Sequence, residues 1–208
     1  MDWLAENWDL LLRAAWQHVV LVALSLVMAL ALALAIGIAV RHRPALSALV
    51  SAVSGVLYTI PSLALFAVLV PIVGLGAGTA VIGLTTYAFL ILTRNVAAGF
   101  RAVPEAVIDA AVATGMGPGR ILWAVELPLA LPVIVAGLRI AASTTISAAT
   151  IAAYINAGGL GSIILTGIAQ AFIVKIALGA LVAAVLAIAT DLGLARLEHR
   201  LRASLAVA

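Results

Sequence analysis

One stretch of the chain has the residue types and spacing of two short helices around a corner, not of a catalyst. It carries Asp109-Ala110-Ala111, then Gly115-Met116, then Val125-Glu126-Leu127-Pro128. Ile108, Ala111, Val112 and Gly115 recur at three-to-four spacing, which puts them on one face of a helix. Such small side chains let another protein approach the backbone closely. Pro104 and Glu105 suit a helix start and Gly115 its stop, so a helix is expected over 106–114. Pro118 opens a second over 119–127, which Pro128 and Pro132 are expected to end. Two short helices around a Gly-rich corner would make a rigid knob.

A second constellation is polar. Ser143, Ser147, Thr150 and Tyr154 fall on one helical face inside an apolar run. Such a stripe either lines a wet passage or serves as small polar knobs for helix packing. Pro61 is expected to kink a helix beside Tyr58 and Thr59. Tyr58, Tyr87 and Tyr154 either offer ring faces to an organic cation or anchor the chain at a membrane interface. No cage of several aromatics is visible. Arg139 and Asp191 read as a salt bridge, a head-group contact or a proton relay.

Other chemistries lack their residues. The only lysine, Lys175, is followed by Ile176, so the chain has no phosphate-binding Gly-Lys-Ser/Thr loop. His18, His42 and His199 are too scattered for a metal site, and no serine has a histidine partner. There is no cysteine, which excludes disulfides and iron–sulfur clusters. The chain is therefore not expected to be an enzyme or to hold a cofactor of its own.

The elements that must position these residues lie in lipid. Of 208 residues, 66% are hydrophobic and 9% charged, against about 25% charged in an average soluble domain. Mean hydropathy is +1.30. A soluble fold of this length could not cover that much apolar surface. The pI is 10.0 but the net charge is only +3, and the arginines flank apolar runs, so nucleic acid is not an expected partner. Charge-free runs cover 14–40, 44–93 and 140–174. The second would be ~75 Å long as one helix, so it must fold back. The cluster from Pro71 to Gly78 is its only dense group of breakers.

The expected spans are 14–40, 46–70, 72–93, 132–155 and 176–197, five in all, with a short re-entrant or surface helix over 160–172. Arg41, Arg43, Arg94, Arg101, Arg120, Arg196, Arg200 and Arg202 share one side, which makes the N-terminus outside and the C-terminus inside. Trp3, Trp8 and Trp16 suit an interfacial belt before an uncleaved first span. The whole chain, 1–208, reads as one transmembrane domain whose inside loop, 94–131, carries the knob. Its basic tail suits contact with anionic lipid or with another protein, with Glu198 and Arg202 paired one turn apart.

The knob resembles the signature of binding-protein-dependent ABC importer permeases: Glu-Ala-Ala, three residues, Gly, nine residues, Ile-x-Leu-Pro. Asp109 replaces Glu and Val125 replaces Ile, and every spacing matches. The resemblance extends over about 58–202. Tyr58-Thr-Ile-Pro-Ser-Leu-Ala64, Arg94-Asn95 and Ala157-Gly-Gly-Leu-Gly161 are similar to the osmoprotectant permeases, which import glycine betaine, choline or carnitine, and methionine permeases share some of these features.

The resemblance implies an all-α, type I ABC importer permease fold in the bacterial inner membrane, without a fused binding domain. It also implies that Asp109, Ala110, Ala111, Gly115, Met116, Leu127 and Pro128 couple to an ATPase subunit, which would bind ATP and magnesium in this chain's place. The basic tail would then meet either anionic lipid or that ATPase. A second permease copy or paralogue and an extracytoplasmic binding protein would complete the machine. Tyr58, Pro61, Ser143, Ser147, Thr150 and Tyr154 are the candidate path. The alternatives are an ABC permease for another small solute such as methionine, an ion-coupled carrier working alone, and an assembly subunit with no pathway.

Overall fold

The computed structural model describes residues 2–206, and among them every regular element is helical. A short α1 (Asp2–Glu6) leads into α2 (Trp8–Val40), whose 33 residues make a rod of ~50 Å. That is long enough to cross a ~30 Å hydrocarbon core and emerge on both sides. α3 (Pro44–Leu57) begins on a proline, whose missing N–H is no loss in a first turn. α4 (Ser62–Val73) follows, and α5 (Ala77–Arg101) returns through the middle of the bundle.

The expected fold-back is at Gly74-Leu75-Gly76, with Pro71 absorbed into the last turn of α4. The next span accordingly starts at Ala77 instead of 72. The preceding segment is not one straight span. α3 and α4 meet at 91° across Tyr58–Pro61, so among the described residues four continuous helices are long and apolar enough to span, and five spans result if this bent pair crosses as one. Tyr58 to Pro61 leave the helical path because Pro61 cannot donate to the preceding turn and holds an extended backbone (φ −59°, ψ 137°).

After α6 (Glu105–Ala113) the second short helix is not a separate piece. α7 (Pro118–Ile121), a π-helical turn at Leu122–Glu126, α8 (Leu127–Ile151) and a 3₁₀ turn at Ala152–Ile155 form one rod from Pro118 to Ile155. Pro128 and Pro132 do not end it. A proline ring crowds the carbonyl four residues back, and widening the preceding turn to π geometry accommodates the mismatch. α9 (Leu160–Ala169) is the expected short helix, too short to cross, and α10 (Ile173–Ala206) is the last span.

The core sits where α5 is gripped by α2 and α8. Ala29, Ala33, Leu92, Val96 and Ala130 have no exposed surface. Glycines set the approach: Gly37 faces the Val96 side chain, Gly99 faces the Ala130 carbonyl, and Gly137 faces the Asn95 side chain so closely that a Cβ would overlap it. Lipid tails are as apolar as leucine, so this close packing holds the helices together, not expulsion of water. Gly137→Val should push α8 off α5 and cost about 1–3 kcal/mol, read as a lowered Tm of the detergent-solubilised protein.

Candidate functional site

The knob is an elbow built by one helix end. α6 starts after Pro104 with Glu105 in its first turn, where a carboxylate meets unsatisfied N–H groups. It stops at Gly115, whose φ of +79° only glycine adopts without strain. The Met116 N–H donates to the Ala111 carbonyl (3.1 Å) and the Gly115 N–H to the Val112 carbonyl (2.9 Å), the paired closure of a Schellman end. Thr114 Oγ1 also donates to Ala111 (2.8 Å). The chain then turns at Gly117 into α7.

This closure sorts the motif residues. Asp109, Ala110 and Gly115 face outward, Met116 is half-buried, and Ala111 is buried. The expected single apolar face splits. Ile108 packs against the core around Leu122, whereas Val107 and Val112 are 40% and 57% exposed. Ile108 and Ala111 are therefore the elbow's inner face, because α6 lies against the π turn, and they cannot belong to an outer docking stripe. Leu127 and Pro128 lie half-buried at the start of α8, beneath the elbow.

Below the elbow is a residue that spacing alone did not single out. Glu126 is 3% exposed and ends the π turn. Its Oε2 accepts from Arg41 Nε at 2.9 Å, and His42 Nε2 lies 3.4 Å from Oε1. Arg41 Nη1 also donates to the Ile38 carbonyl (2.7 Å). The ion pair bolts the end of α2 to the base of the elbow. Its sequence signal was a lone acid between apolar neighbours and a cation just past a span, on different elements 85 residues apart.

The broken span brings two of the three tyrosines together. The Tyr58 and Tyr87 rings meet edge to face, centroids 5.7 Å apart at 68°. The Tyr87 hydroxyl donates to the Ile60 carbonyl, one of the groups that the break removes from helical pairing. Thr59 Oγ1 donates to Val56 (2.7 Å). Pro61 thus belongs to a bend far sharper than a kink. Tyr154 stands apart and is 63% exposed.

The polar stripe is divided between two grooves. Ser143 opens on a groove of about 510 Å³ with Thr144, Arg139, Asp191 and Glu198. Ser147 and Thr150 line a second, of about 300 Å³, with Ile164, Ala183 and Ala187. Thr150 Oγ1 donates to the Ser147 carbonyl of its own helix (2.7 Å), so its proton is satisfied without a ligand. In the first groove Arg139 makes a two-pronged pair with Asp191 (2.9 and 3.1 Å) and reaches Glu198 (2.9 Å). Glu198 in turn accepts from Arg202 at 2.8 Å, the pair expected one turn apart. Of the readings open for Arg139 and Asp191, the salt bridge is the one present, and it joins α8 to α10.

Comparison with known proteins bears on this arrangement. Residues 29–203 match the family model described as binding-protein-dependent transport system inner membrane component. The chain is 38% identical over 202 residues to the choline transport system permease protein OpuBD of Bacillus subtilis (strain 168), covering 97% of this chain and 89% of that protein. It is 36% identical over 196 residues to the carnitine transport permease protein OpuCB of Listeria monocytogenes, covering 94% and 90%. An inward-facing structure of the MetNI methionine ABC transporter superposes with a TM-score of 0.81 at 25% identity, covering 92% of this chain and 95% of that one.

The buried ion pair makes a direct prediction. Arg41→Met leaves Glu126 as an uncompensated buried charge and should cost about 3 kcal/mol. Adding Glu126→Leu should restore most of the lost Tm in detergent unfolding, and no recovery would mean that the pair does not carry this joint.

Proposed function

Given that the chain belongs to the binding-protein-dependent transport system inner membrane components, we propose that it forms the pore of an ATP-driven importer of quaternary-ammonium osmoprotectants such as choline, carnitine or glycine betaine. The elbow carries this reading. It offers Asp109, Ala110, Val112 and Gly115 outward while its inner face, Ile108 and Ala111, lies against the π turn, whose Glu126 is tied to Arg41 at the end of α2. A push on such a knob becomes a movement of two spans.

The outer face of α6 docks in an ATPase subunit, which binds ATP and magnesium and supplies the driving force. Asp109, Ala110 and Gly115 make the contact, and Ala111, Met116, Leu127 and Pro128 pass the load into α8. A second permease, identical or paralogous, completes the pore across the exposed apolar faces. A binding protein delivers cargo at the N-terminal, outer end. Closure of the ATPase pair favours the outward-open state, and the ligands drive the cycle by binding the two states unequally. The single domain contributes Tyr58, Pro61, Ser143, Ser147, Thr150 and Tyr154 to the path. The break at Tyr58–Pro61 supports this, because irregular backbone in a membrane protein is tolerated where it lines a cavity or is buried in protein. The choline and carnitine named for the similar permeases support the cargo.

The decisive measurement is uptake of radiolabelled choline and methionine into vesicles holding the chain with its ATPase and binding protein. Choline uptake that needs ATP is expected. Methionine uptake alone would change the cargo, and uptake without any ATPase would overturn the mechanism. Ala110→Trp, on the outer face of α6, should lower uptake by about tenfold or more through a loss of docking of ~1.4 kcal/mol or greater, with an unchanged Tm. In the path, Ser147→Trp and Thr150→Trp should block uptake while ATPase co-purification persists. Unchanged uptake would remove that face from the path.

A further inference from the structure

A second aromatic arrangement lies at the end of the bundle opposite the elbow, where α2 and α10 begin. The turn between α9 and α10, through Gln170, Ala171 (φ +50°) and Phe172, brings Phe172 against Trp3 of α1. The two rings stand perpendicular, centroids 6.3 Å apart. The ammonium of Lys175 sits over both, 5.3 Å from the Trp3 ring and 5.7 Å from the Phe172 ring, and donates to Gln170 Oε1 at 2.7 Å. Beside it is a cavity of about 100 Å³ walled by Ser162, Thr166, Ile163 and Leu10. The corner therefore already performs cation recognition, with a side chain as the cation.

The geometry points to Trp3 and Phe172 as an entry site for the quaternary-ammonium group of the cargo, with Lys175 as a tethered occupant that the cargo displaces. This rests on the reading of the chain as a quaternary-ammonium importer. A methylated ammonium spreads its charge over methyl groups and is weakly hydrated, so it gives up less water than a lysine ammonium on reaching a ring face. Two perpendicular rings present two such faces to one cation. The departure of Lys175 would enlarge the small cavity toward the size of the head group, while Ser162 and Thr166, whose hydroxyls donate to the Gly159 and Ser162 carbonyls (2.7 Å each), keep oxygen lone pairs on its wall that can accept from a hydroxyl of the cargo. The tether holds lysine at high effective concentration, so the site stays weak. Weakness suits a passage, which must release what it binds.

The test uses the full chain in lipid nanodiscs with radiolabelled choline as ligand and tetramethylammonium as competitor. Lys175→Met removes the tethered cation and should tighten choline binding about fivefold. Lys175→Arg keeps a cation over the rings and should leave affinity near the starting value, which separates loss of the occupant from loosening of α1. Phe172→Leu in the Lys175→Met background should return binding to the starting level or below. With Trp8, Trp16 and Trp123 replaced by Phe, choline should quench Trp3 fluorescence. The inference is overturned if Lys175→Met leaves affinity unchanged, if Lys175→Arg tightens it equally, or if Phe172→Leu has no effect. ATP-driven uptake separates the two readings. Uptake without this binding signature sinks the entry site alone, and the signature without ATP-driven uptake sinks the importer reading alone.

Discussion

Lipid gives packed helices no hydrophobic reason to stay together, so this bundle depends on how closely α5 can approach its neighbours. Gly37, Gly99 and Gly137 remove side chains where Val96, Ala130 and Asn95 come nearest, and the alanines at 29, 33 and 88 keep the rest of the seam narrow. Dispersion contacts fall off within an ångström of their optimum, so the approach is all or nothing. With α5 seated, the long rods on either side have fixed positions, and the polar devices at their ends can work against a rigid frame.

Those devices add polar ties between elements that also meet through apolar packing. Glu126 and Arg41 fasten α2 to the base of the elbow. Arg139, Asp191, Glu198 and Arg202 fasten α8 to α10. Both clusters lie along the rod from Pro118 to Ile155, which also carries the elbow. A displacement of α6 therefore reaches α2 through one cluster and α10 through the other. The π turn that carries Glu126 is a place where a helix can change its winding by one residue without breaking. The opposite end of the molecule is organised differently, by two aromatic rings and one lysine.

The elbow residues were legible because helix punctuation is local. Pro104, Glu105 and Gly115 state a start and a stop within one stretch of chain, and the structure places both there. The fold-back near Gly74 was legible for the same reason. The separate helix expected over 119–127 was misread because Pro128 and Pro132 are breakers in isolation. Inside a packed rod the neighbouring helices hold the chain in line, and a widened turn absorbs the clash. Tyr58–Pro61 reads as a kink, yet the bend is 91°, because Pro61 holds the backbone extended and the Tyr87 hydroxyl of the adjoining α5 takes up the freed Ile60 carbonyl.

Composition and periodicity by themselves determined that this chain lives in a membrane as a helical bundle with a helical knob between two spans. In lipid a backbone is satisfied only in helices or closed barrels, and the long charge-free runs with Pro and Gly punctuation mark helices and where they begin and end. The tertiary structure alone decided which side of α6 faces outward, that Glu126 and Arg41 share a bond, that two tyrosines meet at a broken span, and that Lys175 rests in an aromatic corner. Each of these joins residues far apart in the chain. Their proximity depends on how rods of fixed length cross, which no stretch of sequence encodes locally.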